Sequence, residues 1–144
     1  MLINMTTDYA VRVVLNLAAR ESAGLVTSAD IAREESIPPT YIPKILQALS
    51  RAGILVTYPG RTGGARLLRA AKDISVFDVV QAMERNVALN RCLLREGECP
   101  RDRICAAHGV WQEAQDQLHR TLKQANIAEL AEKARAGLSQ MPEA

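Results

Sequence analysis

Three cysteines, Cys92, Cys99 and Cys105, fall in one short stretch, and His108 follows close behind the last of them. The full pattern is Cys-x6-Cys-x5-Cys-x2-His. Arg91, Arg95, Glu98, Pro100, Arg101 and Arg103 stand between and around the thiols, so the stretch reads as a polar loop. Cysteines kept for packing would instead be scattered through apolar helices. Their odd number argues against a disulfide framework. Three chemistries suit this set. The thiolates hold an iron–sulfur cluster with a fourth ligand from elsewhere. Alternatively, the three thiolates and His108 hold a tetrahedral structural zinc. In the third, the thiols form a metal-free redox switch. Spacing alone does not separate them.

The elements that must position this loop are mostly helical. The chain has 144 residues, 48% of them hydrophobic and 24% charged, which fits one globular domain with a core. Aromatics make up only 3%, so Leu, Ile, Val and Ala must fill that core, a composition that leans towards helix. Thr6 and Thr7 are candidate caps of a first helix carrying Ala10, Val13, Val14 and Leu17. Thr27 or Ser28 caps a short second helix. A third helix over 40–52 carries Ile42, Ile45, Leu46 and Leu49 on one face, with Pro43 in its first turn and Gly53 as its stop. Residues 55–58 and 65–68 read as strands joined by the turn Pro59-Gly60-Arg61-Thr62-Gly63-Gly64. Ser75 and Asp78 form a capping box for a fourth helix. After the cysteine loop, a long helix from about Ala106 to Gln124 repeats Val110, Trp111, Ala114, Leu118, Leu122 and Ala125 at steps of three and four, with His119 on its exposed side.

This order is mainly α, a winged helix-turn-helix followed by a long C-terminal dimerisation helix. It divides into a DNA-binding region over 1–73, a linking helix and cysteine loop over 74–105, a dimerisation helix with a terminal short helix over 106–136, and a flexible tail over 137–144. Charge agrees with the first assignment. Residues 36–72 hold six basic side chains (Lys44, Arg51, Arg61, Arg66, Arg69, Lys72) and no acidic one, whereas 73–144 hold nine basic and eleven acidic. One segment is built to face a polyanion. Thr40, Tyr41, Lys44, Gln47 and Arg51 occupy the faces that the third helix leaves free for base edges and phosphates. Thr27 and Ser28 offer a helix start to a phosphate. Arg61, Thr62 and Arg66 belong to the hairpin.

In this order the segments Thr7-Asp8-Tyr9-Ala10-Val11-Arg12, Ser28-Ala29-Asp30-Ile31-Ala32, Ile37-Pro38-Pro39-Thr40-Tyr41-Ile42-Pro43-Lys44-Ile45-Leu46 and Gly60-Arg61-Thr62-Gly63-Gly64-Ala65-Arg66-Leu67 resemble bacterial winged-helix regulators of the IscR/NsrR/RirA type. With the cysteine loop and long helix, the resemblance covers nearly the whole chain. It implies a homodimer on a near-palindromic double-stranded DNA operator, with Trp111, Ala114, Leu118 and Leu122 in the dimer seam. It also implies an iron–sulfur cluster, 2Fe–2S or 4Fe–4S, on Cys92, Cys99 and Cys105. That cluster would gate DNA affinity in response to redox state, nitric oxide or iron status. For the fourth ligand the resemblance offers two matches. His108 stands where the IscR-like branch has its histidine. Asp8 stands where the NsrR-like branch uses an aspartate donated by the partner subunit. Two features depart from the pattern: six residues instead of five separate Cys92 from Cys99, and Pro43 replaces a residue that reads bases in some relatives.

Enzymatic chemistry finds no support. His108 and His119 are the only histidines, and the glycines at 60–64 sit in a hairpin rather than between a strand and a helix. No 18-residue stretch is free of charge, so no membrane span is expected. Asp8, Arg12 and Arg20 interrupt any signal-peptide pattern, and the expectation is a cytoplasmic protein in a reducing compartment.

Overall fold

The structure, a computed structural model, describes residues 3–139. Helix α1 (Met5–Ala19) opens at Asn4, whose Oδ1 accepts from the Thr7 amide at 3.0 Å. The sequence placed the cap at Thr6 or Thr7. Thr7 is instead fully buried, and its hydroxyl donates to Glu84, which also accepts from Asn4 Nδ2 at 2.8 Å. Helix α2 (Ser28–Glu34) is capped by Thr27, whose Oγ1 accepts from the Asp30 amide at 3.1 Å. Ser36, at φ 54, turns the chain sharply after it. The expected third helix begins as a 3-10 turn over Pro39–Tyr41, so Thr40 and Tyr41 precede α3 (Ile42–Arg51) rather than lie within it. Pro43 occupies the first turn of α3, where a missing amide costs nothing. Gly53, at φ 74, ends the helix.

Strands β1 (Leu55–Tyr58) and β2 (Gly64–Leu67) pair antiparallel, with Leu55 opposite Leu67 and Tyr58 opposite Gly64. Val26 adds a third edge: its amide and carbonyl both bond Ala65 at 2.9 Å. This contact explains Gly64, since a Cβ there would lie 2.5 Å from the Val26 carbonyl oxygen. Helix α4 (Val76–Met83) carries the expected box, with the Asp78 amide 3.2 Å from Ser75 Oγ and the Ser75 amide 2.9 Å from Asp78 Oδ2.

The long helix α5 spans His108–Gln124, so His108 is its first residue. Helix α6 (Ile127–Ser139) runs past Gly137, where the sequence placed the start of a flexible tail; residues 140–144 of that tail lie outside the described residues. The core joins Val13, Val14 and Leu17 of α1 to Ile31, Ile45, Leu49, Ile54, Ile74 and Val79. Ile127 and Ala131 of α6 belong to the same core, so the last helix returns to the first. The hinge between α5 and α6 is tied down. The Val76 amide donates to Ala125 O at 2.9 Å, the Ile127 amide to Ile74 O at 3.0 Å, and Asn126 Nδ2 to Lys72 O at 2.6 Å. Among the described residues no helix is long and apolar enough to cross a membrane.

Candidate nucleic-acid interface and cysteine loop

Ile42, Ile45, Leu46 and Leu49 turn one face of α3 into the core. That leaves Lys44, Gln47 and Arg51 exposed on the rest of the helix. Thr40 and Tyr41 are exposed just before it, and the Tyr41 ring stands edge-on to Tyr9 with centroids 5.3 Å apart. Arg61 and Thr62 are exposed at the tip of the β1–β2 hairpin. None of Lys44, Gln47, Arg51, Arg61 and Thr62 has a hydrogen-bond or ion-pair partner among the described residues. Ser28, Leu46, Tyr58, Arg61 and Gly64 line a groove of about 270 Å³ that joins the start of α2 to the hairpin. Pro43, Gln47, Arg51 and Thr57 line a second along α3. Thr27, Ser28 and Arg61 thus share one groove, and Gln47 and Arg51 the other.

Three members of the expected polyanion face are already engaged. The Thr27 hydroxyl accepts the cap bond of α2. Arg66 donates to Tyr58 Oη at 3.2 Å and lies over that ring. Arg69, counted in the basic block, donates to the Asp73 carbonyl at 2.6 Å and stands 3.8 Å from Asp78. It closes a turn while its side chain stays 43% exposed.

In the cysteine loop the thiols of Cys92, Cys99 and Cys105 are free and half-buried. Cys92 sits in a 3-10 turn, Arg91–Leu93. Turn bonds shape the rest: Asp102 N to Cys99 O at 3.2 Å, Cys105 N to Arg101 O at 2.8 Å, and His108 N to Cys105 O at 3.1 Å. The loop charges pair among themselves, Arg95 with Glu98 and Arg103 with Glu96. A cavity of about 350 Å³ opens here, and Cys92, His108, Asp102, Arg103 and Gln112 stand in its wall. Cys99 and Cys105 do not. No three Cys, His, Asp or Glu side chains among the described residues converge as a metal site.

The loop nevertheless contains one unfilled donor. His108 Nδ1 is buried and has no hydrogen-bond partner. A partnerless imidazole nitrogen and a free thiol that line one cavity are donor types that iron–sulfur clusters and zinc both accept, but the three thiols and His108 are not gathered into one site here. Asp8, the other candidate ligand, is exposed in the first turn of α1 and lies 2.8 Å from Arg12 Nη2.

Helix α5 has two faces. Trp111 is 42% exposed, Val110 64%, and Ala114 is exposed too, while Leu118 and Leu122 are half-buried. A polar strip that adjoins this stripe is packed. Buried Gln115 accepts from the Leu89 amide at 3.0 Å. His119, expected on the exposed side, is half-buried: Nε2 donates to the Val87 carbonyl at 2.6 Å, and the ring meets Phe77 edge-on at 5.0 Å. The apolar repeat missed Gln115 and His119 because their partners come from the segment before the cysteine loop.

The family model described as "Rrf2: Iron-dependent Transcriptional regulator" matches residues 3–133. The protein Rrf2 of Nitratidesulfovibrio vulgaris is 34% identical over 122 residues, covering 85% of this chain and 81% of that protein. The HTH-type transcriptional regulator IscR of Escherichia coli is 30% identical over 122 residues, covering 85% and 75%. Among solved structures, the T. potens IscR is similar at TM-score 0.77 and 20% identity, over 100% of this chain and 94% of that one. CymR, the global cysteine regulator of B. subtilis, is similar at 0.75 and 20%, over 92% and 98%. At such identities the two structures speak for the fold, a winged helix.

Proposed function

Because the chain belongs to the Rrf2 family of transcriptional regulators and has its winged-helix DNA-binding fold, we propose that it acts as a homodimer on a near-palindromic operator, its DNA affinity gated by an iron–sulfur cluster. Cys92, Cys99 and Cys105 supply three ligands to a 2Fe–2S or 4Fe–4S centre. His108 is the favoured fourth, because its Nδ1 is buried without a partner and the residue lines the same cavity as Cys92, and this observation carries the reading. Asp8 of the first helix is the competing ligand. Bound there, the cluster supplies a redox- and nitric-oxide-sensitive centre.

What the chain itself contributes is a mechanical link. The ligand loop leads directly into His108, the first residue of α5. Exposed Trp111 and Ala114, with Leu118 and Leu122, would form the seam with a second copy. At its far end α5 is pinned to Lys72, Ile74 and Val76, which follow the hairpin. A change in the loop therefore reaches both the dimer axis and the DNA face, and the coupling between loop state and DNA is reciprocal. Two α3 helices would enter successive major grooves roughly 34 Å apart. Thr40, Tyr41, Lys44, Gln47 and Arg51 would face bases and phosphates there, with Thr27, Ser28, Arg61, Thr62 and Arg66 flanking them.

The deciding experiment is an anaerobic absorption spectrum of freshly purified protein with iron and sulfide assayed on the same sample, followed by operator titrations of cluster-loaded and cluster-free protein. Visible charge-transfer bands with stoichiometric iron and sulfide, and different affinities for the two forms, are expected. A colourless protein after reconstitution replaces the cluster with a structural zinc or a metal-free thiol switch. Equal affinities remove the gating.

A further inference from the structure

Between α2 and the first turn of α3 lies an open groove of about 430 Å³ with a mostly apolar surface. Exposed Ala29, Pro39 and Pro43 line it together with buried Ile37 and Ile42. The groove is continuous with the candidate DNA face at both ends. Ser28 also belongs to the groove beside the hairpin, and Pro43 to the one along α3 that holds Gln47 and Arg51.

Pro43 is the member of this corner that stands on α3 itself, next to exposed Lys44. Recognition helices meet base edges mainly with their N-terminal residues. Thr40, Tyr41, Lys44 and Gln47 can all hydrogen-bond at such an edge. The Pro43 ring cannot, and its nitrogen carries no hydrogen. An apolar corner therefore sits amid polar side chains at the turn that would enter deepest.

The major groove offers donors, acceptors and one apolar group, the C5-methyl of thymine. Pressed against a purine N7 or a guanine O6, an apolar corner strips water from an acceptor and returns no hydrogen bond, which is costly. Against a thymine methyl it buries carbon on both sides. A proline ring also has no rotamer freedom to lose on contact. Purines are thus disfavoured through a lost hydrogen bond, and cytosine through the missing methyl alone.

Resting on the operator reading above, we propose that the apolar corner at Pro43 selects a thymine in each half-site by its C5-methyl. Gln47 lies one helical turn beyond Pro43 in the same groove. A turn rises about 5.4 Å against about 3.4 Å per base pair, so the thymine lies about one to two pairs from the base that Gln47 faces.

The test uses the full chain, purified anaerobically, and a duplex that it selects from a randomised double-stranded DNA library. Each thymine of that duplex is replaced in turn by uracil, which lacks only the methyl. One thymine in each half-site should lose about fourfold in affinity on replacement, the worth of one buried methyl. At that pair 5-methylcytosine should bind about fourfold better than cytosine, since the methyl returns. Pro43→Ser, with its circular dichroism spectrum unchanged, should bind the thymine and uracil forms alike, which separates a methyl contact from a change in DNA shape. The proposal is overturned if no replacement weakens binding by about twofold or more, well short of a methyl's worth. It is also overturned if 5-methylcytosine and cytosine bind alike at the sensitive pair, or if Pro43→Ser keeps the parent's ratio. A library from which no duplex is enriched removes the operator reading and this proposal with it. A duplex that is bound tightly yet indifferent to uracil removes the methyl contact alone.

Discussion

His108 and Asp8 compete for one role, and their surroundings differ. The unpartnered nitrogen of His108 is buried and its residue lines a cavity with Cys92, whereas Asp8 already pairs with Arg12 in the open. His108→Ala should therefore lower iron per chain after anaerobic reconstitution, while Asp8→Asn leaves it unchanged. The opposite result assigns the ligand to Asp8. Glu34 gives a prediction in pH. Its folded carboxyl lies below the ordinary value of 4.5, first through Asn16 and then through Arg20. Its contribution is therefore full above that value and is lost as pH falls through the folded pKa. Denaturant unfolding of the parent and of Glu34→Gln should differ most near neutrality and converge in acid, below the folded pKa. A constant difference across that range contradicts the assignment. The cysteine pattern was legible because it is local. The bonds from Asn16 to Glu34 and Glu35 were not, because these carboxylates lie 18 and 19 residues further along the chain, in another element. The cap of α1 was misplaced for a related reason. Asn4, Thr6, Thr7 and Asp8 are all competent caps, and only the distant Glu84 draws Thr7 inside.

Among the elements, those with strictly local signals were readable: the capping box of α4, the proline in α3, and the glycine-rich hairpin. The hairpin also makes a demand that no local signal states. Gly64 must admit the Val26 carbonyl, and backbone does not yield as a side chain would. Gly64→Ala should lower stability by more than about 1 kcal/mol, seen as a shift in the urea midpoint. An unchanged midpoint would mean that the Val26–Ala65 pairing is dispensable. Helix α5 was read through its apolar repeat alone, so its polar inner face of Gln115 and His119 went unnoticed. Buried polar groups leave no periodic trace in hydropathy; only their partners reveal them. Helix α6 read as a short appendage. Yet Ile127 is fully buried in the common core, and Ile127→Ala should cost about 2–5 kcal/mol in chemical denaturation. A loss under about 1 kcal/mol would show that α6 is held elsewhere.

For the whole molecule, the charge split along the chain proposes a polyanion-binding face, and Lys44, Arg51 and Arg61 of it are exposed. Arg69, though exposed, spends a donor on the Asp73 carbonyl, which composition cannot show. Operator affinity should fall steeply with salt, with a log–log slope of roughly −0.9 for each phosphate neutralised. Arg61→Ala should flatten that slope by about one contact's worth if it meets a phosphate, and leave the slope intact while altering sequence preference if it meets a base. A binding isotherm unchanged in both respects would move the hairpin off the DNA.

The return of α6 to α1 also dictates an order of events during synthesis. The residues proposed to face DNA are translated early, but their core lacks Ile127 and Ala131 until nearly the whole chain has been made. Contacts between the first and last helices are as long-range as this chain allows, and such contacts close late. A nascent chain would thus lack a complete winged-helix core until its cysteine loop and long helix already exist, so a chain cut short by a stalled ribosome would carry no finished DNA-binding unit.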